Sequence, residues 1–272
     1  MNDTLKNYML HLADDALVMS QRLSEWTGHG PVLEQDIALT NIALDYLGQA
    51  RNFYQYAAET INQFKEATGS QASPTGGGLE GAGATEDSLA MLRLEHEFKN
   101  HLLVELPNAM PSGRDWAFTV CKVFFFSAYQ HALMQQLQHN ADEEVRGIAA
   151  KSLKEVTYHL RWSREWVLRL GDGTAESHQR MQQALTACWP FTGELFEVPP
   201  YAPGWVDYVA IKKNWMSEVQ QTLAEATISS PAGGGREGAF QTGGLHGRHT
   251  EYLGYLLAEM QYLKRAYPNS EW

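Results

Sequence analysis

Cysteine is nearly missing from this chain of 272 residues. There are only two, Cys121 and Cys188, 67 positions apart and both inside helical patterns. That spacing argues against a disulfide framework and predicts a reducing compartment, the cytoplasm. Long hydrophobic runs are missing too. The longest strongly apolar one, Val123 to Phe126, falls far short of the roughly 20 residues that a bilayer-spanning helix needs. The first residues, MNDTLKNYMLHLADDALVM, carry acids where a signal peptide needs an unbroken apolar stretch, so no secretion is expected. Basic charge is scarce: 21 Lys and Arg stand against 32 Asp and Glu, a formal net charge of −11, and no basic run occurs. Nucleic acid and an anionic membrane are therefore poor partners. There is no Gly-x-Ser-x-Gly, no phosphate-binding loop and no dinucleotide fingerprint, because the glycine clusters do not join a strand to a helix.

What the chain does have is helical periodicity. Apolar residues make up 44% of it, enough for a sizeable core without disulfides or metals. Segments near 5–26, 34–66, 87–105, 114–139, 142–170, 175–196, 205–227 and 249–266 each read as a helix. Stops fall at Gly28 to Pro31, at Pro107, at Gly171-Asp172-Gly173, at Pro199-Pro200 and at Gly233 to Gly235. Nothing alternates convincingly at period two, so no sheet is predicted. The stretch GSQASPTGGGLEGAGA (69–84) is poor in large apolar residues and predicts a mobile loop. Neither flank reads as a self-sufficient domain, so residues 1–272 are expected to form a single all-α domain.

In the segment 34–66, Leu39, Ala43, Tyr46, Ala50, Phe53 and Ala57 recur at steps of four and three, a seam whose small residues permit close helix approach. About 130° around the same helix, at roughly 100° per residue, lie Glu34, Asn41, Asp45, Gln49 and Asn52. This second stripe reads either as a solvated face or as a polar network buried or turned to a partner, since Ile37, Ala38, Ile42 and Leu44 flank it. Cys121, within WAFTVCKVFFF, reads as a small buried apolar residue, not a nucleophile.

Long helices with carboxylates on inner faces raise the ferritin-like di-iron class. Its metal site takes a Glu from each of two helices and a Glu-x-x-His from each of two others. None of the ten histidines has Glu or Asp three positions before it, so that motif does not occur. Two pairs stand at four-residue spacing, Glu97/His101 and Glu155/His159. Both read as buried Glu–His hydrogen bonds substituting for a metal, and no metal ligands or catalytic residues are assigned. His246 and His249 sit among Gly243, Gly244 and Gly247 with no ligand set around them, which reads as a loop leading into a helix.

Four strings carry a resemblance: SQRLSEWTGHGPVLEQDIALTNIALDYLGQARNFYQYAAE (20–59), LLVELPNAMPSGRDWAFT (102–119), KEVTYHLRWSREWVLRLGDGT (154–174) and HTEYLGYLLAEMQYLKRAYPNSEW (249–272). Together they resemble the C subunits of bacterial phenylacetyl-CoA ring epoxidases, collinearly over almost the whole chain. The resemblance implies a ferritin-like helical bundle with additional flanking helices and no metal of its own. It implies a homologous catalytic A subunit that carries the di-iron centre, a small B subunit and a flavin/iron–sulfur reductase. The activity implied is epoxidation of phenylacetyl-CoA in aerobic phenylacetate breakdown.

The same resemblance implies CoA-ester contacts through Glu97, Phe98, Lys99 and Asn100, with Lys99 suited to a phosphate, Phe98 to an apolar contact and Asn100 to a hydrogen bond. Glu97 would repel a phosphate. A loop after Phe196 is also implied, but this sequence departs from the family there in length. The 69–84 insertion looks longer than the family pattern as well. Two other readings remain from residues alone. One is a stand-alone di-iron or di-manganese oxidase with irregular ligands (Asp45, Glu97, His101, Glu155, His159). The other is a helical adaptor without substrate contact.

Overall fold

The computed structural model describes residues 3–68, 83–110, 113–230, 240–268 and 270. Its centre is the helix α5 (Trp116–Leu137), apolar on every side and buried along nearly its whole length, as expected for a helix with no solvent face. Around it stand α1 (Asp3–Ser24), α2 (Leu33–Thr68) and α6 (Glu143–Gly171). The closest pairs are α1 with α2 and α5 with α6, and α2 also packs on α6, which closes a four-helix bundle. Two further helices, α7 (Ala175–Cys188) and α8 (Tyr208–Glu225), lean on α5 from outside. The short α3 (Glu86–Met91) and α4 (Leu102–Glu105) lie near α9 (Glu251–Ala266) and α1 respectively. The fold is the expected all-α bundle with flanking helices.

The α2 seam packs as its spacing predicts: Leu39, Ala43, Tyr46, Ala50, Phe53 and Ala57 are all buried. Helix starts are set by side-chain caps. Asp115 accepts from Phe118 N at the head of α5 and pairs with Arg180 at 2.8 Å. Asp142 accepts from Glu144 N and Val145 N at the head of α6, and also from the Tyr56 hydroxyl at 2.6 Å.

Three sequence expectations need correction. The segment 87–105 is not one helix; it breaks after Met91, makes a 3-10 turn at Glu95–Glu97 and resumes only as α4. A two-residue antiparallel hairpin, β1 (Ala109–Met110) with β2 (Gly113–Arg114), interrupts the all-helical pattern. Helix 175–196 stops at Cys188, where Pro190 has no amide to continue the ladder, and goes on as two 3-10 turns. Of the glycine-rich 69–84 stretch, residues 69–82 lie outside those described. Its last residue, Ala84, is buried and exchanges two hydrogen bonds with Asn62 (2.8 and 2.9 Å). The two cysteines are free and buried, and burial, with the neighbouring Cys188, pushes the Cys121 thiol well above its ordinary pKa.

Candidate functional site

The break in 92–101 is where the chemistry gathers. A chain that leaves a helix inside a protein must find new partners for its amides, and here buried carboxylates supply them. Asp14 accepts from Lys99 N (2.8 Å), Asp15 from His101 N (2.8 Å) and Glu194 from Leu102 N (2.8 Å). At the solvent side Glu97 accepts from Leu94 N at 2.7 Å. Asp14 and Asp15 are adjacent in α1, both fully buried, so one helix turn fastens two successive parts of the segment.

Each acid has its own counter-charge. Asp14 pairs with the buried guanidinium of Arg93 through both nitrogens and accepts from the Tyr54 hydroxyl at 2.5 Å. Arg93 also lies over the Phe98 ring, 4.3 Å from its centroid. Asp15 accepts from His101 Nδ1 at 2.7 Å and stands 3.9 Å from His11 Nε2. Burial works against the charge of Asp15, but the charge of His101 and the two hydrogen bonds from that residue outweigh it and hold the carboxyl below its usual range. Burial likewise opposes the charged form of His101, and Asp15 outweighs it, so that imidazole is raised. For His11 burial prevails and its pKa is lowered.

His11 Nδ1 donates to the Lys99 carbonyl at 2.7 Å, which leaves Nε2 as a bare lone pair. Among the described residues His11, Asp15 and His101 are the one group of three or more His, Cys, Asp or Glu side chains placed to share an ion. Aromatic rings wall it: Tyr8 and Tyr201 at 5.9 and 6.0 Å from His11, and Tyr129 at 5.2 Å from His101.

Beside this triad, the buried Glu105 accepts from Asn100 (2.8 Å), His249 Nδ1 (2.6 Å), Thr250 N (2.8 Å) and the Thr250 hydroxyl (2.6 Å). Burial lowers the His249 imidazole, but the bond to Glu105 and its charge outweigh burial and raise it. Gly244 packs so closely on the Asn100 carbonyl that any side chain there would collide with it.

Of the four expected substrate-binding residues, Glu97 closes the 3-10 turn and Phe98, Lys99 and Asn100 lie on the extended stretch that follows it. Phe98 and Asn100 are fully buried, Glu97 is half-exposed, and the half-buried Lys99 lays its ammonium 5.1 Å from the Tyr201 ring centroid. Burial lowers the Lys99 pKa. The two expected Glu–His pairs do not form as such. His101 pairs with Asp15 of α1; His159 pairs with Asp45 of α2 at 2.9 Å, and Glu155 accepts from Gln49 at 2.9 Å. Beyond Glu97 the backbone is extended up to His101, so four-residue spacing does not bring that pair together, and on α6 the neighbouring α2 offers Glu155 and His159 other partners. The middle of the α2 polar stripe therefore faces α6, while Glu34 and Asn41 are exposed. His246 and His249 sit in the loop leading into α9, as read from the glycines.

Sequence reading missed His11, Asp14, Asp15 and Arg93. A signal existed: two adjacent acids and a histidine four residues before the second, inside the apolar helical run YMLHLADDALVM (8–19).

The family described as phenylacetic acid catabolic protein matches residues 1–272. The chain is 44% identical over 274 positions to the C subunit of 1,2-phenylacetyl-CoA epoxidase from Escherichia coli (strain K12), covering 98% of this chain and 99% of that protein.

Proposed function

The chain belongs to the phenylacetic acid catabolic protein family, and from that premise we propose that it is the non-catalytic C-type subunit of a phenylacetyl-CoA epoxidase. The end-to-end similarity to the corresponding Escherichia coli epoxidase subunit carries this reading. In it the chain holds a homologous di-iron A subunit, works with a small B subunit and a flavin/iron–sulfur reductase in the cytoplasm, and helps bind the CoA ester. Among the described residues no helix is long and apolar enough to cross a membrane.

The donor set supports a scaffold role. A di-iron site of this class needs two Glu-x-x-His motifs and two further Glu, and this sequence has no such motif. Between the long helices, positions that could carry ligands bond to one another instead: Asp45 with His159, Gln49 with Glu155, and Tyr46 with Ser127 at 3.2 Å. Such pairs keep buried polar groups satisfied without an ion. The irons and the oxygen chemistry they supply then belong to the A subunit.

For the CoA ester, Lys99 is the one of the four expected contacts that carries a positive charge toward solvent. Phe98 under Arg93 and Asn100 on Glu105 fix the backbone on either side of it, so the ammonium is offered from a rigid stretch as a point charge for a phosphate. Co-expression with candidate A and B subunits, followed by mass measurement and an iron assay of the complex, tests the reading. A stable complex whose iron tracks the A subunit supports it. A chain that stays alone and carries about two irons itself would favour the stand-alone oxidase.

A further inference from the structure

We infer that His11, Asp15 and His101 form a binding site for a single divalent transition-metal ion of the zinc type, separate from any di-iron centre. His11 gives its Nδ1 hydrogen to the Lys99 carbonyl, so its Nε2 can only accept. It is fully buried, no hydrogen-bond partner among the described residues reaches it, and it stands 3.9 Å from Asp15 Oδ2. Two acceptors confront each other with nothing positive directly between them. A bare buried acceptor is unfavourable by the desolvation it has lost without compensation, and a cation shared with Asp15 and His101 removes that defect for both groups.

The donor set and its spacing agree. Two imidazoles and one carboxylate are the ligands that zinc and its neighbours take with a position left open. Tetrahedral bonds of roughly 2.0–2.1 Å place ligand atoms about 3.3 Å apart. The observed separations of 2.7 Å (Asp15 Oδ2 to His101 Nδ1) and 3.9 Å (Asp15 Oδ2 to His11 Nε2) bracket that value, and all three donor atoms lie within 4.8 Å of one another. The ion would take the place of the hydrogen now shared between Asp15 and His101, with small side-chain shifts.

The outer contacts are those of a built site. The other ring nitrogen of His11 is held by a backbone carbonyl, and the second oxygen of Asp15 is held by His101 N, the kind of support that orients metal ligands. The rings of Tyr129 and Tyr201 flank the triad, and both hydroxyls are buried without a partner among the described residues. A water on the open fourth position gives such hydroxyls something to bond. A bound ion would join α1 directly to the stretch that carries Lys99.

The test uses the full chain, stripped with chelator and titrated with Zn(II), and with Co(II) as the optical probe. About one Zn(II) per chain is expected, along with visible Co(II) bands of tetrahedral intensity. His11→Leu and His101→Leu should each lower the affinity at least 100-fold while helical circular dichroism persists. His159→Gln, which alters the separate Asp45 pair, should bind as the wild type does. Where a leucine variant fails to fold, Asp15→Asn is the substitute, and its loss of the Co(II) bands is the readout. No stoichiometric uptake of Zn(II), or uptake undiminished in folded His11 and His101 variants, overturns the inference.

Discussion

Replacing Asp14 by Asn changes one atom and removes the only carboxylate among the described residues that is bonded to Arg93. Both side chains are sealed from solvent, with relative exposures of 0 and 1%. The guanidinium would remain buried with no counter-ion, a loss that typically amounts to about 3–5 kcal/mol. Asn retains one acceptor oxygen, so either Tyr54 or Lys99 N keeps its bond and the other is orphaned. These effects overlap, and a total near 4 kcal/mol is expected, a large share of the roughly 5–15 kcal/mol by which domains are stable. Arg93→Met should lose a similar amount by stranding the carboxylate. The double variant Asp14→Asn/Arg93→Met removes both charges and should fall short of the sum by about 2–3 kcal/mol. Urea unfolding of all four proteins at pH 7 reads this cycle, and 1 M salt should change the coupling little because the pair is dry. Single losses under about 1 kcal/mol, or strict additivity, would refute the claim that this ion pair anchors the 92–101 segment.

Three further outcomes are expected. In the assembled epoxidase complex, Lys99→Ala should raise the Michaelis constant for phenylacetyl-CoA several-fold with turnover nearly intact, and Lys99→Glu should do worse, both effects shrinking with salt; wild-type kinetics at low ionic strength would remove Lys99 from the binding site. His249 is raised in the folded protein by Glu105, so its contribution to stability is complete below the unfolded pKa of about 6.5 and disappears as pH rises through the folded value. The stability gap between wild type and His249→Gln should therefore narrow from pH 6 to pH 9 in urea titrations, and a gap that widens would contradict the assignment. Lys122 is fully buried, its ammonium has one acceptor among the described residues, the Leu106 carbonyl at 2.7 Å, and burial drives its pKa down to about 7. Below that pH both folded and unfolded chains carry the proton and the burial penalty is felt in full, while between about 7 and 10.5 it is progressively relieved. Lys122→Met should then stabilise the fold by about 1–2 kcal/mol at pH 6, where penalty outweighs the lost bond, and by less at pH 9.5. A variant less stable than wild type at pH 6 would show that the ammonium is well compensated.

The bundle was legible because its signals are local. The α2 seam from Leu39 to Ala57 and the caps Asp115 and Asp142 follow from spacing and residue type within a few positions. The resemblance strings carried the family, which the full-length match bears out. The site was not legible for the opposite reason. Whether 92–101 stays helical depends on acceptors contributed by α1 and by Glu194, and periodicity has no access to them. Glu155 and His159 share a helix face as expected, yet Gln49 and Asp45 on α2 claim them. Asp14 and Asp15 stood in plain view within an apolar run, but three-residue Glu–His spacing carries no information about them.

The carboxylate clasp on 99–102 also bears on how the chain reaches its native state. Its bonds join residues 85, 86 and 92 positions apart, so none can form as part of a local helix-coil event. The loop-closure entropy for each must be met before any of them helps. This stretch should therefore settle late, after α1 has docked, and should open together with α1 as one cooperative unit. Native-state hydrogen exchange would display that coupling. The amides of Lys99, His101 and Leu102, though outside any regular ladder, should exchange as slowly as those in the middle of α1, and Asp14→Asn should speed all of them at once.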